Sequence, residues 1–414
     1  MGKIRILPDT LVSKISAGEV VERPASVVKE LIENSIDAKA DKISIYLRYG
    51  GKRHIKIVDN GIGMTRDDAL MSLERHATSK IKDVDDLFSL STLGFRGEAI
   101  PSISSVSRLN KVTKTEDQEN GVEILSEGGI VKKVREIACK TGTSIDVNNL
   151  FFNTPVRLKF LKTPKTELMR VMEIVQREAL CKPKITFELF DDEKNIHNFK
   201  STPDIKERIS SVISNAELYE FEHKSSEINV TGYLSGPSET RTSMQKLYTY
   251  VNKRPVRDRF INRMIMDSYG NLIEKGKYPQ GVIFIEINPE DVDVNVHPTK
   301  FEVKFKNQYH IGEFIKESIR AMLNSAPWIK GYKQSAENAL KNFYANQKED
   351  KAQSFSGFSD PNVKSTEYKK DFYTKEIMPA TAFSPAESVK SEVFEKNEEL
   401  ISTGYYSGCL LYTS

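Results

Sequence analysis

Glu30, Asn34 and Asp37 recur at helical spacing, and Asp59-Asn60-Gly61-Ile62-Gly63 follows at the end of the next clear strand. At about 100° per residue the three polar positions fall within roughly 60° of one another. Val27, Val28, Leu31, Ile32 and Ile36 make the rest of the wheel apolar, so this helix buries most of its surface and its polar stripe must face something polar. The residue types suit a nucleotide pocket. Glu30 is a carboxylate able to orient and deprotonate water. Asn34 offers an amide oxygen of the kind magnesium accepts when phosphates and water complete its shell, and Asn is otherwise a mildly poor choice in mid-helix. Asp59 can accept a hydrogen bond from a base amino group, and Gly61 and Gly63 let backbone approach a ligand. Asp-Asn-Gly is also ordinary turn chemistry, so the reading rests on the combination.

Further along, Gly94-Phe95-Arg96-Gly97 precedes Glu98-Ala99-Ile100-Pro101. Proline is acceptable only in a first helical turn, which predicts a helix beginning near Glu98. The preceding loop would then present free N–H groups to an anion. It is not a Walker loop, because GxxxxGK[ST] occurs nowhere in the chain. Gly142-Thr143-Ser144 opens the alternating run Ile145-Asp146-Val147, as expected of a strand whose hydroxyl reaches a ligand. A different chemistry is suggested by Arg241 to Arg263. Arg241, Lys246, Lys253, Arg254, Arg257, Arg259 and Arg263 stand there against Asp258 alone, a local charge that attracts nucleic-acid phosphates in a salt-dependent, largely sequence-independent way. Tyr248 and Tyr250 are interleaved, as packing residues of a strand.

The elements that must position these residues follow from pattern. The helix with the polar stripe runs from Pro24, tolerated in a first turn, to Ala38. Ile43, Ile45 and Leu47, then Ile55 and Ile57, alternate as two strands paired across Tyr49-Gly50-Gly51-Lys52. Helices are expected over Asp67–Arg75 and Thr166–Leu180, with a long lid or binding loop from about Thr78 to Gly97. A first unit over 1–205 is followed by a small α+β unit over 206–330. Its strands are expected at Ile228–Leu234, Leu247–Asn252, Gly281–Ile287 and Val292–His297, its helices at Phe260–Lys275 and His310–Leu323. From 331 to 414 the chain is polar and aperiodic, the composition of a disordered linker, and the ending Gly404 to Ser414 reads as a truncation with non-native last residues. The chain has 414 residues, 38% of them hydrophobic, a net charge of +3 and three scattered cysteines. Those numbers fit two or three domains, place any basic surface locally, and suggest neither a disulfide framework nor a zinc site. No signal peptide, myristoylation signal or membrane span is readable, which gives a cytoplasmic expectation and no membrane partner.

Together the segments resemble the N-terminal ATPase region of the MutL family of DNA mismatch repair proteins. The resemblance is carried by Ala17 to Leu31, Arg75-His76-Ala77-Thr78-Ser79-Lys80, Gly94 to Ala99, Asn153-Thr154-Pro155 and Asp293-Val294-Asn295-Val296-His297-Pro298-Thr299-Lys300, in that order, across roughly residues 1 to 330. It implies an α+β fold: a gyrase/MutL-type ATPase sandwich, a mixed sheet with helices on one face, followed by a smaller ribosomal-S5-like α+β domain and the linker. It implies Glu30 as general base, Asn34 as the Mg2+ ligand, and Asp59 with Thr143 reading adenine. Gly61, Gly63, Gly94, Phe95, Arg96 and Gly97 would lie along the phosphates of ATP, and Lys300 would reach the γ-phosphate from the second domain. The DNA-binding expectation falls on Lys253, Arg254, Arg257, Arg259 and Arg263. Implied partners are DNA, a MutS-type mismatch-recognition protein, a downstream endonuclease or helicase, and a second copy in an ATP-dependent homodimer, in a nucleoid-associated cytoplasmic setting. Turnover is expected to be slow. The family's C-terminal dimerisation domain, often bearing a nuclease, does not follow the linker, so nuclease activity is not expected of this chain. Ile100, where leucine is common, is a mild departure. The alternatives are a topoisomerase-type ATPase subunit, which would need a strand-cleaving partner, and a non-hydrolysing DNA-binding scaffold.

Overall fold

Strand β1 (Lys42–Arg48) buries Ile43, Ile45 and Leu47 and turns back into β2 (His54–Asp59), pairing Ile45 with Ile57 and Leu47 with Ile55. This antiparallel pair is the centre of an eight-stranded sheet in the computed structural model, which describes residues 17–18, 20–78, 97–293 and 303–325. The other strands are β3 (Arg108–Lys114), β4 (Gly121–Glu127), β5 (Ile130–Ile137), β6 (Gly142–Asn148), β7 (Thr186–Asp191) and β8 (Lys194–Phe199). Their order is β5-β4-β3-β6-β2-β1-β7-β8, with β1 and β7 parallel and the remaining pairs antiparallel.

Four helices share one apolar core with this sheet: α1 (Pro24–Asp37), α3 (Ala99–Ser105), α5 (Pro164–Cys181) and α6 (Ile205–Val212). The β1 face turned away from that core carries Tyr46, exposed and stacked on Phe190. Two short helices complete the set, α2 (Arg66–Met71) and α4 (Pro155–Phe160). The α2 helix covers a small satellite core of Ala69, Val122 and Ile124. It ends at Met71, short of the expected Arg75. The physical reason is competition for its last carbonyls: the Ala69 oxygen accepts from Lys111 of β3 and from the Ser72 hydroxyl.

The second sheet contains β9 (Leu218–Lys224), β10 (Ile228–Ser235), β12 (Leu247–Val251), β13 (Arg254–Val256) and β15 (Gly281–Ile287), in the order β13-β12-β15-β10-β9. Two-residue strands β11 (Thr240–Arg241) and β14 (Tyr278–Pro279) pair beside it, as do β16 (Val292–Asp293) and β17 (Lys304–Phe305). Helices α7 (Arg259–Tyr269) and α8 (Gln308–Ser325) pack with Leu247, Val251, Ile283 and Ile285 in a second core. The helix expected to reach Lys275 stops at Tyr269, where Gly270 takes a positive φ of 52°. Every residue of β12 is buried because the strand is covered on both faces: Tyr248 and Tyr250 point the other way, into the core under α5. That burial on both sides explains why the run reads as continuous rather than alternating. Most of the expected lid, the end of the Val292–His297 strand and the whole of 331–414 lie outside the described residues.

Candidate functional site

Asp59 ends β2 beside the start of β6, where Thr143 is its cross-strand partner. The α1 helix crosses above. Ser35 of α1 donates its hydroxyl to Asp59 Oδ2 at 2.8 Å, while the amides of Gly61 and Thr143 donate to Oδ1 at 3.0 and 3.2 Å. Burial pushes the Asp59 carboxyl above the usual aspartate range, and the three donated hydrogen bonds pull against that rise. A carboxylate has about four acceptor positions. Among the described residues three are taken, one on Oδ2 and two on Oδ1, which leaves one acceptor position on Oδ2.

Beneath it, Thr113 of β3 ties the surroundings together. Its hydroxyl oxygen accepts from the Met64 amide at 2.9 Å and lies 3.0 Å from both the Gly142 carbonyl and the Thr143 hydroxyl. The Thr143 hydroxyl is therefore turned to Thr113, and it is the Thr143 amide that meets Asp59. Gly61 and Gly63 have reasons inside the fold. A Cβ on Gly61 would stand 2.6 Å from the Ala38 carbonyl, and one on Gly63, whose φ is +70°, would stand 2.0 Å from the Lys114 carbonyl. Their lack of side chains lets the 59–64 turn lie flat between α1 and β3. Asn60 clips the same turn to the start of β1, accepting from the Asp41 and Lys42 amides at 3.1 and 2.9 Å.

Glu30, Asn34 and Asp37 lie along α1 as the wheel required, each partly exposed. The wheel also carries a second polar stripe, Lys29 and Glu33. Lys29 Nζ lies 3.2 Å from Glu30 Oε1 and 2.8 Å from Glu33 Oε1. Burial disfavours the Lys29 ammonium, but Glu30 and Glu33 outweigh it and hold its pKa above the ordinary lysine range. Lys29, Glu33, Ser35 and Thr113 were not singled out from sequence. The readable signal was the i,i+4 Lys–Glu pair on a helix otherwise apolar outside its Glu30 stripe.

The helix predicted near Glu98 is α3, with Glu98 at its N-cap position making no side-chain cap hydrogen bond and Pro101 inside its first turn. Gly97 has a φ of +60° and its Cβ would meet the Ala77 carbonyl at 2.5 Å, while His76 Nδ1 lies 3.7 Å from Glu98 Oε1. Residues 76–78 and 97–98 thus stand side by side. Gly94, Phe95, Arg96 and Lys300 lie outside the described residues. Among the described residues no cluster of three or more His, Cys, Asp or Glu could hold a metal ion.

The basic segment is only partly free. Lys253, Arg257, Arg259 and Arg263 are exposed and Arg254 is half-buried. Arg257 is ion-paired with Glu173 of α5, and Arg263 lies 3.7 Å from Asp267. Lys246 donates to the Val212 carbonyl at 3.1 Å and Arg241 to Gln280 at 3.0 Å. Tyr248 and Tyr250 are packing residues, fully buried, with hydroxyls donating to the Gln176 side chain and the Arg177 carbonyl, each at 2.8 Å.

Comparison with known proteins bears on both sheets. Residues 22–150 match the family described as histidine kinase-, DNA gyrase B-, and HSP90-like ATPase, and residues 207–324 match "DNA mismatch repair protein, C-terminal domain". The DNA mismatch repair protein MutL of Citrifermentans bemidjiense is 47% identical over 331 residues, which is 79% of this chain and 51% of that protein. The MutL of Bacillus cereus is 46% identical over 324 residues, 78% of this chain and 50% of its own length. The chain therefore spans about half the length of the curated relatives it matches. Among solved structures, the N-terminal domain of a DNA repair protein superposes with a TM-score of 0.65 at 27% identity, covering 76% of this chain and 98% of that one. The Aquifex aeolicus MutL ATPase domain complexed with ADP gives 0.52 at 27% identity, covering 72% and 98%. With two family models in succession, relatives nearly half identical over most of its length and the same fold in solved structures, this chain belongs to the MutL family of DNA mismatch repair proteins.

Proposed function

We propose that this chain is a DNA-dependent, magnesium-requiring ATPase that times a clamp or matchmaker in mismatch repair. The observation that carries the reading is the Asp59 carboxylate. It is held by Ser35, Gly61 and Thr143 with one acceptor position left over, beside the stripe that carries Glu30 and Asn34. That spare position suits the amino group of adenine, and it supports Asp59, with the Thr143 amide behind it, as the reader of the base. Glu30 is the general base, able to take a proton from the attacking water. Asn34 holds magnesium. A single amide oxygen is a fitting protein share for an ion that keeps several waters and takes phosphate oxygens. Bound magnesium would neutralise developing phosphate charge. Gly61 and Gly63 keep the turn low beneath the phosphates, Gly94 to Gly97 supply amides to them, and Lys300 senses the γ-phosphate from the second domain.

On this reading the domains run 1–205 and 206–330 with a linker over 331–414. Binding of ATP favours pairing of two copies around DNA, and hydrolysis reopens them. Lys253, Arg254, Arg257, Arg259 and Arg263 meet DNA phosphates, and a MutS-type protein and a downstream endonuclease or helicase are the partners on either side of the timer. Phosphate release by the purified chain tests the reading. Slow turnover that requires magnesium and rises with added DNA is expected. Turnover indifferent to chelation would remove the magnesium assignment, and no turnover with or without DNA would leave the scaffold alternative.

A further inference from the structure

Lys29 neighbours Glu30 in sequence and touches it in space, and neither side chain is at the open surface. The side chains of Lys29, Glu30 and Glu33 are 17%, 25% and 8% exposed. An exposed i,i+4 pair would be of little consequence, but this one lies on the seam where α1 packs against α5. Facing it from α5 is Glu178, 2% exposed, whose charge interacts with Glu33 and Lys29. Burial, reinforced by Glu33, pushes the Glu178 carboxyl up to about 7. Burial thus favours its neutral form, and Glu33 and Glu30 are the carboxylates in contact with the ammonium. The same α5 helix docks the second sheet: Gln176 and Arg177 hold Tyr248 and Tyr250, Glu173 pairs with Arg257, and the Cys181 thiol donates to the Lys253 carbonyl at 2.7 Å.

We propose that Lys29 is the positioning residue for Glu30, anchored by Glu33 on the α1–α5 seam, so that the orientation of the base depends on how the helix carrying the second sheet is seated. The inference rests on Glu30 being the general base. Lys29 occupies Oε1 and leaves Oε2 as the oxygen that accepts the proton of water. The water oxygen then bonds to the γ-phosphorus, the electron pair of the broken P–O bond leaves with ADP, and Glu30 returns its proton to solvent. Alignment of a base matters steeply, since a misplacement of about 1 Å can cost on the order of a hundredfold in rate.

The test compares Glu30→Gln, Lys29→Gln and Lys29→Arg in the full chain, reading kcat, KM and affinity for a fluorescent ATP analogue. Glu30→Gln reports on the underlying reading alone: persistent turnover there removes Glu30 as the base whatever Lys29 does. Given its loss, Lys29→Gln is expected to lower kcat about tenfold or more with KM and nucleotide affinity within about threefold, a transition-state effect rather than a binding one. Lys29→Arg is expected to recover most of the rate. A wild-type kcat in Lys29→Gln, or a loss carried by KM and not rescued by arginine, overturns the proposal. Should Lys29→Gln not fold, the isosteric Glu33→Gln takes its place. It is expected to lower kcat several-fold at constant KM, and an unchanged kcat overturns the proposal equally.

Discussion

Asp59 shows how a candidate site residue is tuned by neighbours that no motif names. Its carboxyl is raised by burial and pulled down by Ser35, Gly61 and Thr143. If its ionised form accepts from the nucleotide base, acidification must abolish binding as the group takes up its proton. A raised pKa places that loss at a less acidic pH than an ordinary aspartate would. Ser35→Ala removes one of the opposing hydrogen bonds, so the Asp59 pKa rises further and binding should fade at a still higher pH. Titration of fluorescent-nucleotide affinity against pH in the two proteins checks this, and coincident profiles would contradict it. Asp59 and Thr143 were legible because Asp-Asn-Gly and Gly-Thr-Ser are rare in the middle of a strand and mark its ends. Ser35 was not legible, since a serine on a helix is ordinarily solvated or bonded to its own backbone. Only the crossing of α1 over β2 gives it a role.

Among the elements, α2 gives the clearest lesson. Alternation and helical periodicity predicted α1, α5, β1, β2, β6, β10 and β15 closely, because each sets apolar positions on a core and has a turn or cap at its end. The length of α2 was overestimated because its end is set by Lys111, a residue some 40 positions away in sequence that reaches it only through β3. Strand β5 was missed for a different reason: it is exposed along nearly its whole length and has no apolar alternation to read. Lys111 is fully buried, and burial pushes its pKa down to about 7. Between pH 7 and the ordinary lysine value near 10.5 the unfolded chain therefore binds more protons than the folded one, and stability rises with pH across that window. Lys111→Met has no such term. Its melting temperature relative to the native chain should be most favourable below pH 7 and should lose ground steadily up to pH 10. A difference between the two that stays flat with pH would show that Lys111 is not held neutral by the fold.

At the scale of the molecule, the two sheets are joined by α5, with Tyr248 and Tyr250 of the second sheet reaching Gln176 and Arg177 of that helix. A basic segment was readable in the sequence but this junction was not, because a strand buried on both faces reads like any apolar run. The junction also sorts the basic residues. Arg257 serves Glu173 as well as any ligand, so its replacement would disturb the junction. Arg259, exposed at the start of α7, is the cleaner probe. Arg259→Glu should weaken DNA binding across sequences alike and reduce the slope of log affinity against log salt by about one. An unchanged slope would remove Arg259 from the DNA surface. In the proposed reading α1 and the 59–64 turn form a hydrolytic nucleotide site with Glu30 as its base. Glu30→Ala tests it most directly, with ATP-analogue affinity and single-turnover hydrolysis measured on the same preparation. Binding within a few-fold of the native chain is expected, with hydrolysis lost by about two orders of magnitude or more. Hydrolysis at the native rate with ATP still bound would contradict it.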